Sequence, residues 1–259
     1  MPIEKVINLN ADLGESFGPW VMGSDDALLD IVASANLACG FHAGDPDVMR
    51  RTVRACVARG VSIGAHPGYQ DLQGFGRRAL KLSAAEIENL IAYQVGALAG
   101  IAALEGGRVT HVKPHGALNN QACADKGIAA AVARAVRGVD AGLILLAPAA
   151  SALLDAGRAA GLRVVEEIFA DRAYQDDGQL APRGTPGAMV HGAGQCTAHV
   201  SAMLDEGALI TLSGKRLPTA IGSVCVHGDG AEAVAVARAL RHNLESAGWR
   251  IASLPALAG

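Results

Sequence analysis

Ten residues able to move protons or hold charge recur in one local setting along this chain. Asp12, Glu15, His42, His66, Lys113, His115, Asp171, Arg172, His227 and Asp229 each come shortly after an apolar run. Four of the eight histidines are among them, more than a random scatter would place there. Carboxylates and imidazoles exchange protons near neutral pH, and lysine and arginine hold carboxylates or phosphates. Asp12 with His42 and His66 would also make a one-carboxylate, two-histidine set for Zn²⁺ or a similar divalent ion. No local His-x-x-x-His spacing supports that set, so the metal reading stays open. The clearest single stretch runs from Ala35 to Pro46. It begins as small apolar residues around Asn36, breaks at Gly40, passes His42 and reaches Asp45-Pro46. An aspartate that can cap, followed by proline at the first helical position, starts a helix. A polar turn between a strand end and a helix start is where parallel α/β proteins bind ligands.

The elements that must position these residues alternate along the whole chain. Val6 to Asn10 reads as a first strand, with Asn10, Asp12 and Glu15 at its exit. Ser24-Asp25-Asp26 starts a short helix, and Pro46 to Arg59 makes another that stops at Gly60. Val61 to Tyr69 is a strand and turn with His66 at its exit. Asp71 to Arg78 is a polar loop, after which Ser83 and Glu86 form a capping box for the longest helix. Its Ile87, Leu90, Ile91, Val95 and Leu98 recur at helical spacing. Val109 to Gly116 is a strand delivering Lys113 and His115, with His111 expected as a satisfied core histidine inside it. A helix is expected from Ala122 to Arg137, a strand from Gly142 to Ala147 and a helix from Ala149 to Ala160. Arg163 to Phe169 is a strand leading to Asp171 and Arg172. Tyr174 to Gly194 has no sustained period, and a loop that long inside a domain usually serves a site. Gln195 to Glu206 restores a helix, and Leu209 to Leu212 pairs locally across Ser213-Gly214-Lys215. Ile221 to Val226 is the last strand, ending at His227, and Val236, Leu240 and Leu244 mark a closing helix. His191, His199 and His242 are expected on loop or helix surfaces.

About seven strand-then-helix units follow one another without a linker or a break in composition. That alternation predicts a parallel sheet in one domain over residues 1–259. Polar clusters after most strands favour closure into a β/α barrel over an open sheet with one crevice. Hydrophobic residues make up 51% and charged residues 18%, which suits a packed globular chain. The net charge of -3 without a basic block argues against a nucleic-acid partner. Five cysteines without a Cys-x-x-Cys pair suit reduced thiols and a cytoplasmic setting. No signal peptide or membrane span is expected. A Gly-x-Ser-x-Gly elbow and a P-loop are both missing from the sequence. Gly228-Asp229-Gly230 remains as a phosphate-compatible turn before a helix.

Six motifs carry a resemblance to a known family. They are Asn10-Ala11-Asp12-Leu13-Gly14-Glu15, the Ala35 to Pro46 stretch, Gly64-Ala65-His66-Pro67-Gly68-Tyr69, Val112-Lys113-Pro114-His115-Gly116-Ala117-Leu118, Phe169-Ala170-Asp171-Arg172-Ala173-Tyr174, and Cys225-Val226-His227-Gly228-Asp229. In this order, over about residues 6 to 250, they resemble the LamB/YcsF family, which includes a bacterial 5-oxoprolinase subunit. The resemblance implies a distorted seven-stranded β/α barrel related to glycoside hydrolase/deacetylase barrels. It further implies opening of 5-oxo-L-proline to L-glutamate with ATP and Mg²⁺, shared with partner subunits B and C. Asn8, Gln70 and Asn119 depart from the family pattern, where Asp, Pro and Tyr are expected, and Asn119 is the one nearest the chemistry. A lactam is a resonance-stabilised amide, and phosphorylating its oxygen makes that oxygen a leaving group. Lys113 and Arg172 are the expected cations, with Asp12, His66 or His227 as base and His115 as donor to developing charge. Asn10, Glu15, Asn36, His42, Asp171, Arg172 and Asp229 complete the expected substrate-binding set. Lys113 is expected to matter for turnover far more than for stability. Two other readings fit the residues: a stand-alone metal-dependent amidohydrolase or deacetylase, and a non-catalytic regulatory subunit that binds small acids.

Overall fold

In the computed structural model, residues 5–227 and 232–257 are described. Asp229 and the Gly228-Asp229-Gly230 turn lie outside them. The elements run β1 (Val6–Leu13), α1 (Asp25–Leu29), β2 (Ser34–Ala38), α2 (Pro46–Arg59), β3 (Ser62–His66), α3 (Ala84–Leu104), β4 (Val109–Val112), α4 (Gly116–Ala124), α5 (Lys126–Val139), β5 (Ile144–Pro148), α6 (Ala152–Ala159), β6 (Arg163–Phe169), α7 (Ala193–Glu206), β7 (Ala208–Ile210), β8 (Arg216–Pro218), β9 (Ile221–His227), α8 (Ala233–Ser246) and β10 (Arg250–Ile251), before a 3₁₀ turn at Leu254–Leu257. Strands β1 to β6 pair in parallel in chain order, β6 pairs with β9, and β9 returns to β1. The sheet is therefore a closed seven-stranded parallel barrel. It is distorted at two register shifts, Ile63/Gly64 against β4 and Glu166/Glu167 against β9.

Local chemistry explains most boundaries. Asp45 accepts the backbone N–H groups of Asp47 and Val48 at 2.8 and 2.9 Å, Pro46 opens α2, and Gly60 closes it at φ 68°. The capping box of Ser83 and Glu86 starts α3. The helix expected over Ala122 to Arg137 is two helices. Asp125 leaves helical geometry and its carboxylate caps α5 through Gly127 and Ile128, while Gly116 already begins α4. One short element was not legible, β10, which pairs with the start of β1. The local pairing expected across Ser213-Gly214-Lys215 is present as an antiparallel hairpin of β7 with β8. Helix α3 is long and apolar enough to cross a membrane by length and composition. Here it is an outer barrel helix, with Ile87, Ile91, Val95 and Leu98 buried in the core.

Strand alternation divides the barrel into two environments. On β1, Ile7, Leu9, Ala11 and Leu13 join the main apolar core, while Asn8, Asn10 and Asp12 take the opposite face. The interior column so formed is polar and fully buried. Asn8 donates to Ser34 Oγ and to the Ala252 carbonyl, both at 2.7 Å, and Ser223 Oγ donates to Asn8 Oδ1 at 2.8 Å. Above it, Asn10 donates to Glu167 Oε1 at 2.8 Å and Ser223 Oγ at 2.9 Å. Asn36 donates to Asn10 Oδ1 at 2.7 Å and Asp12 Oδ1 at 2.8 Å, and accepts from His111 Nε2 at 3.0 Å. His111 is thus the satisfied core histidine expected. Its imidazole occupies the space a side chain at Gly64 would need, which is why β3 carries glycine there. A small apolar plug of Ile144, Leu146, Val165 and Leu254 packs separately from the main core.

Candidate active site

The carboxyl ends of β1, β3, β4, β6 and β9 open into a cavity of about 510 Å³, a size that suits a small molecule. Asp12, Glu15, His66, Lys113, His115, Arg172 and His227 line it. Parallel strands deliver their exits to one rim, so residues far apart in sequence meet. Asp12 and Lys113, separated by 101 positions, lie 2.9 Å apart. His42 sits behind His115, and Asp171 faces a second cavity that shares His227 with the first. Asn10 and Asn36 lie below the pocket, where their amide groups hold Glu167 and Asp12 in place.

Lys113 is the centre of charge. Its ammonium donates to Asp12 Oδ1, lies 3.3 Å from Glu167 Oε2, and contacts Cys225 Sγ at 2.9 Å. Burial opposes its charge, but Asp12, Cys225 and Glu167 outweigh burial and raise its pKa well above the ordinary lysine value. For Asp12, burial favours the neutral acid. His66 and Lys113 outweigh that and hold the carboxyl well below the usual range. Glu167 goes the other way, its pKa raised because burial exceeds what Lys113 returns. Two carboxylates on one lysine are therefore unequal, and Asp12 is the firmly ionised one.

A histidine cluster forms the opposite wall. His66 Nδ1 donates to the Lys113 carbonyl at 2.6 Å, and His115 Nε2 donates to the Phe75 carbonyl at 2.8 Å. Their remaining nitrogens face each other at 3.1 Å, with Asp12 Oδ2 3.4 Å from His66 Nε2. His42 stacks on His115 with ring centres 3.7 Å apart, and its Nε2 is 3.5 Å from Glu15 Oε1. The carboxylate in contact with His42 is thus Glu15, while one oxygen of Asp12 is taken by Lys113. Burial, with the neighbouring histidines, keeps His42 well below the ordinary imidazole range and His115 down to about 3. The Asp71 to Arg78 loop closes this wall, pinned by an ion pair between its end residues. Gly76, at φ 61°, lies where a Cβ would strike both His42 and His115.

The third wall comes from β6, β9 and the segment after Phe169. His227 Nδ1 pairs with Asp171 at 2.8 Å and its ring stacks on Phe169, over which Lys113 also lies. Arg172 donates to the Ala181 carbonyl at 2.7 Å and leaves its buried Nε without a partner among the described residues. His199, expected on a surface, instead donates to the Arg172 carbonyl at 3.0 Å. Leu180, Ala181, Pro182 and Arg183 of the long irregular segment line the cavity, as its length suggested.

Burial lowers the His227 pKa, but Asp171 overrides it and the net shift is upward. Such a pair stabilises the fold fully below the unfolded imidazole value of about 6.5, and loses that contribution as pH rises through the folded value. Asp171→Asn is expected to bring the His227 pKa down, followed by NMR of the ring protons. The stability difference from the parent is expected to be larger at pH 6 than at pH 9. An unchanged His227 titration would contradict the pairing.

Glu167 was not among the site residues expected from sequence, and Cys225 entered only as part of a motif, with no role at the site. The signal for Glu167 was present: a charged residue inside the apolar run of β6, two positions before Phe169 and so on the same face. Cys225 offered nothing to separate it from any small core residue.

The model of the LamB/YcsF family matches residues 7–259. The chain belongs to that family. A family relative from Azoarcus sp., the A subunit of a 5-oxoprolinase, is 62% identical over 249 residues, covering 96% of this chain and 97% of its own. The crystal structure of a lactam utilization protein from Thermus thermophilus has a TM-score of 0.90 at 42% identity, covering 96% of this chain and all of that one. Beyond the LamB/YcsF family, the catalytic domain of a peptidoglycan N-acetylglucosamine deacetylase from Eubacterium rectale has a TM-score of 0.54 at 12% identity, covering 100% and 92%. This last likeness shows the shared barrel fold alone.

Proposed function

We propose that this chain is the barrel subunit of an ATP-dependent 5-oxoprolinase, opening 5-oxo-L-proline to L-glutamate together with partner subunits B and C. The observation that carries the reading is Lys113 and Asp12 paired at 2.9 Å on the floor of a small-molecule cavity, in a chain 62% identical to one 5-oxoprolinase component. Arg77, Arg172 and Arg183 line the same cavity and suit the carboxylate of the substrate. Lys113, flanked by Phe169, places positive charge where the lactam oxygen gains negative charge.

ATP with Mg²⁺ would supply the phosphoryl group that activates the lactam oxygen. Water then adds to the ring carbon, the C–N bond breaks as the nitrogen takes a proton, and a second water releases phosphate from the acyl phosphate. Asp12, with His66 against it, is placed to take the proton from the attacking water, and His227 to return one to the departing nitrogen. That the Azoarcus relative is one lettered subunit of its enzyme supports a reaction divided among chains.

The expected result is little or no glutamate from the isolated chain with 5-oxoproline, ATP and Mg²⁺, and steady glutamate release once B and C subunits are added. Full activity of the isolated chain would move the stand-alone hydrolase reading ahead. Substrate binding without turnover in the complete mixture would favour a regulatory role.

A further inference from the structure

We propose that Glu15, His42, His66 and His115 form a binding site for one divalent transition-metal ion of the zinc class. The argument begins with hydrogens. A carbonyl oxygen only accepts, so His66 carries a proton on Nδ1, toward Lys113, and His115 carries one on Nε2, toward Phe75. In neutral rings the two nitrogens that face each other at 3.1 Å then both present lone pairs. A single proton between them would settle that pair. It would leave His42 unserved, because both ring nitrogens of His42 are buried and have no hydrogen-bond partner among the described residues. Buried polar atoms of that kind call for a ligand. One cation accepting lone pairs from all three rings would answer the facing lone pairs of His66 and His115 and would give His42 Nε2 a partner.

The donors converge on one point of the barrel rim. One donor atom from each of the four residues lies within 4.8 Å of the others. The separations of 3.1 Å between His66 and His115, 3.5 Å between His42 and Glu15, and 3.9 Å between His115 and Glu15 are near those of ligands on one ion. Metal–ligand bonds of about 2.0–2.1 Å put tetrahedral ligands roughly 3.3 Å apart. His66 and His115 would therefore part slightly, and Glu15 would move in. His42, now stacked parallel on His115 at 3.7 Å, would turn its ring to aim Nε2 at the ion. The backbone carbonyls on the far nitrogens of His66 and His115 do what outer partners of ligating histidines do, fixing tautomer and ring orientation. Three imidazoles and one carboxylate favour Zn²⁺, Co²⁺ or Ni²⁺ over Mg²⁺ or Ca²⁺. Glu15 and His115 replace Asp12 in the set expected from sequence, since Asp12 is held by Lys113. Glu15, His66 and His115 line the cavity, so the ion would be reachable from it.

The site shares His66 and the cavity with the proposed lactam chemistry, so the proposal is tested by binding, a readout independent of turnover. The full chain is stripped with a chelator and titrated with Co²⁺, followed by its visible absorption, and with Zn²⁺ by calorimetry. One equivalent per chain is expected, with at least tenfold weaker binding in His42→Phe. Glu15→Gln, which keeps side-chain volume, provides the same readout where His42→Phe fails to fold. Cys225→Ser, in a neighbouring group of Asp12, Cys225 and His227, is expected to bind like the parent. Absence of stoichiometric uptake overturns the site and leaves a shared proton between His66 and His115. Binding that survives both His42→Phe and Glu15→Gln but is lost in Cys225→Ser would overturn it in favour of that neighbouring group.

Discussion

Lys113→Met is expected to destabilise the fold by about 3–5 kcal/mol, the usual result of removing one partner from a buried ion pair. The methionine fills most of the space, so the loss is electrostatic in origin. Asp12 and Glu167, both buried, would be left facing each other without the ammonium that now lies 2.9 and 3.3 Å from them. Adding Glu167→Gln to the variant removes one of the two carboxylates and is expected to recover a substantial part of the loss. Urea unfolding at pH 7 of the parent, both single variants and the double variant measures the coupling directly. A parent-like midpoint for Lys113→Met would show that the ammonium is dispensable to the fold. The sequence suggested that Lys113 would matter for turnover far more than for stability. The structure revises that expectation, because a lysine at a strand exit here is also the counter-ion of the barrel interior.

Asp12→Asn is expected to lower kcat of the complete 5-oxoprolinase mixture by about 10²–10⁴, the range for loss of a positioned general base. Its Oδ1 is anchored by Lys113 and Asn36, so Oδ2 alone is turned toward His66. An asparagine keeps the shape and the anchoring oxygen but removes the negative charge that would take a proton from water. Lys113 retains Glu167 as counter-ion, so Asp12→Asn is expected to unfold at higher urea than Lys113→Met. Steady-state glutamate release and the two unfolding curves together separate a catalytic from a structural role. Activity within a few fold of the parent would remove Asp12 from the proton chemistry.

What the sequence by itself determined is local or periodic. Alternating apolar runs and helical stripes specify a parallel barrel, because strands followed by helices can bury both layers only in a few arrangements. The Asp45-Pro46 start, the Gly60 stop and the Ser83/Glu86 box are carried by residues within a few positions of one another. The rim itself was legible for the same reason: parallel strands must place Asp12, His66, Lys113 and His227 at one end. What only the tertiary structure decided is who faces whom across the barrel. Glu167 beneath Lys113, Asn10 and Asn36 below the pocket, and Glu15 in place of Asp12 against His42 depend on strand stagger and on the register shifts at Ile63/Gly64 and Glu166/Glu167. A shift of one residue in a strand turns a side chain from the interior to the helix layer. Such a shift is fixed by the packing of the closed sheet as a whole, which no short stretch of chain contains.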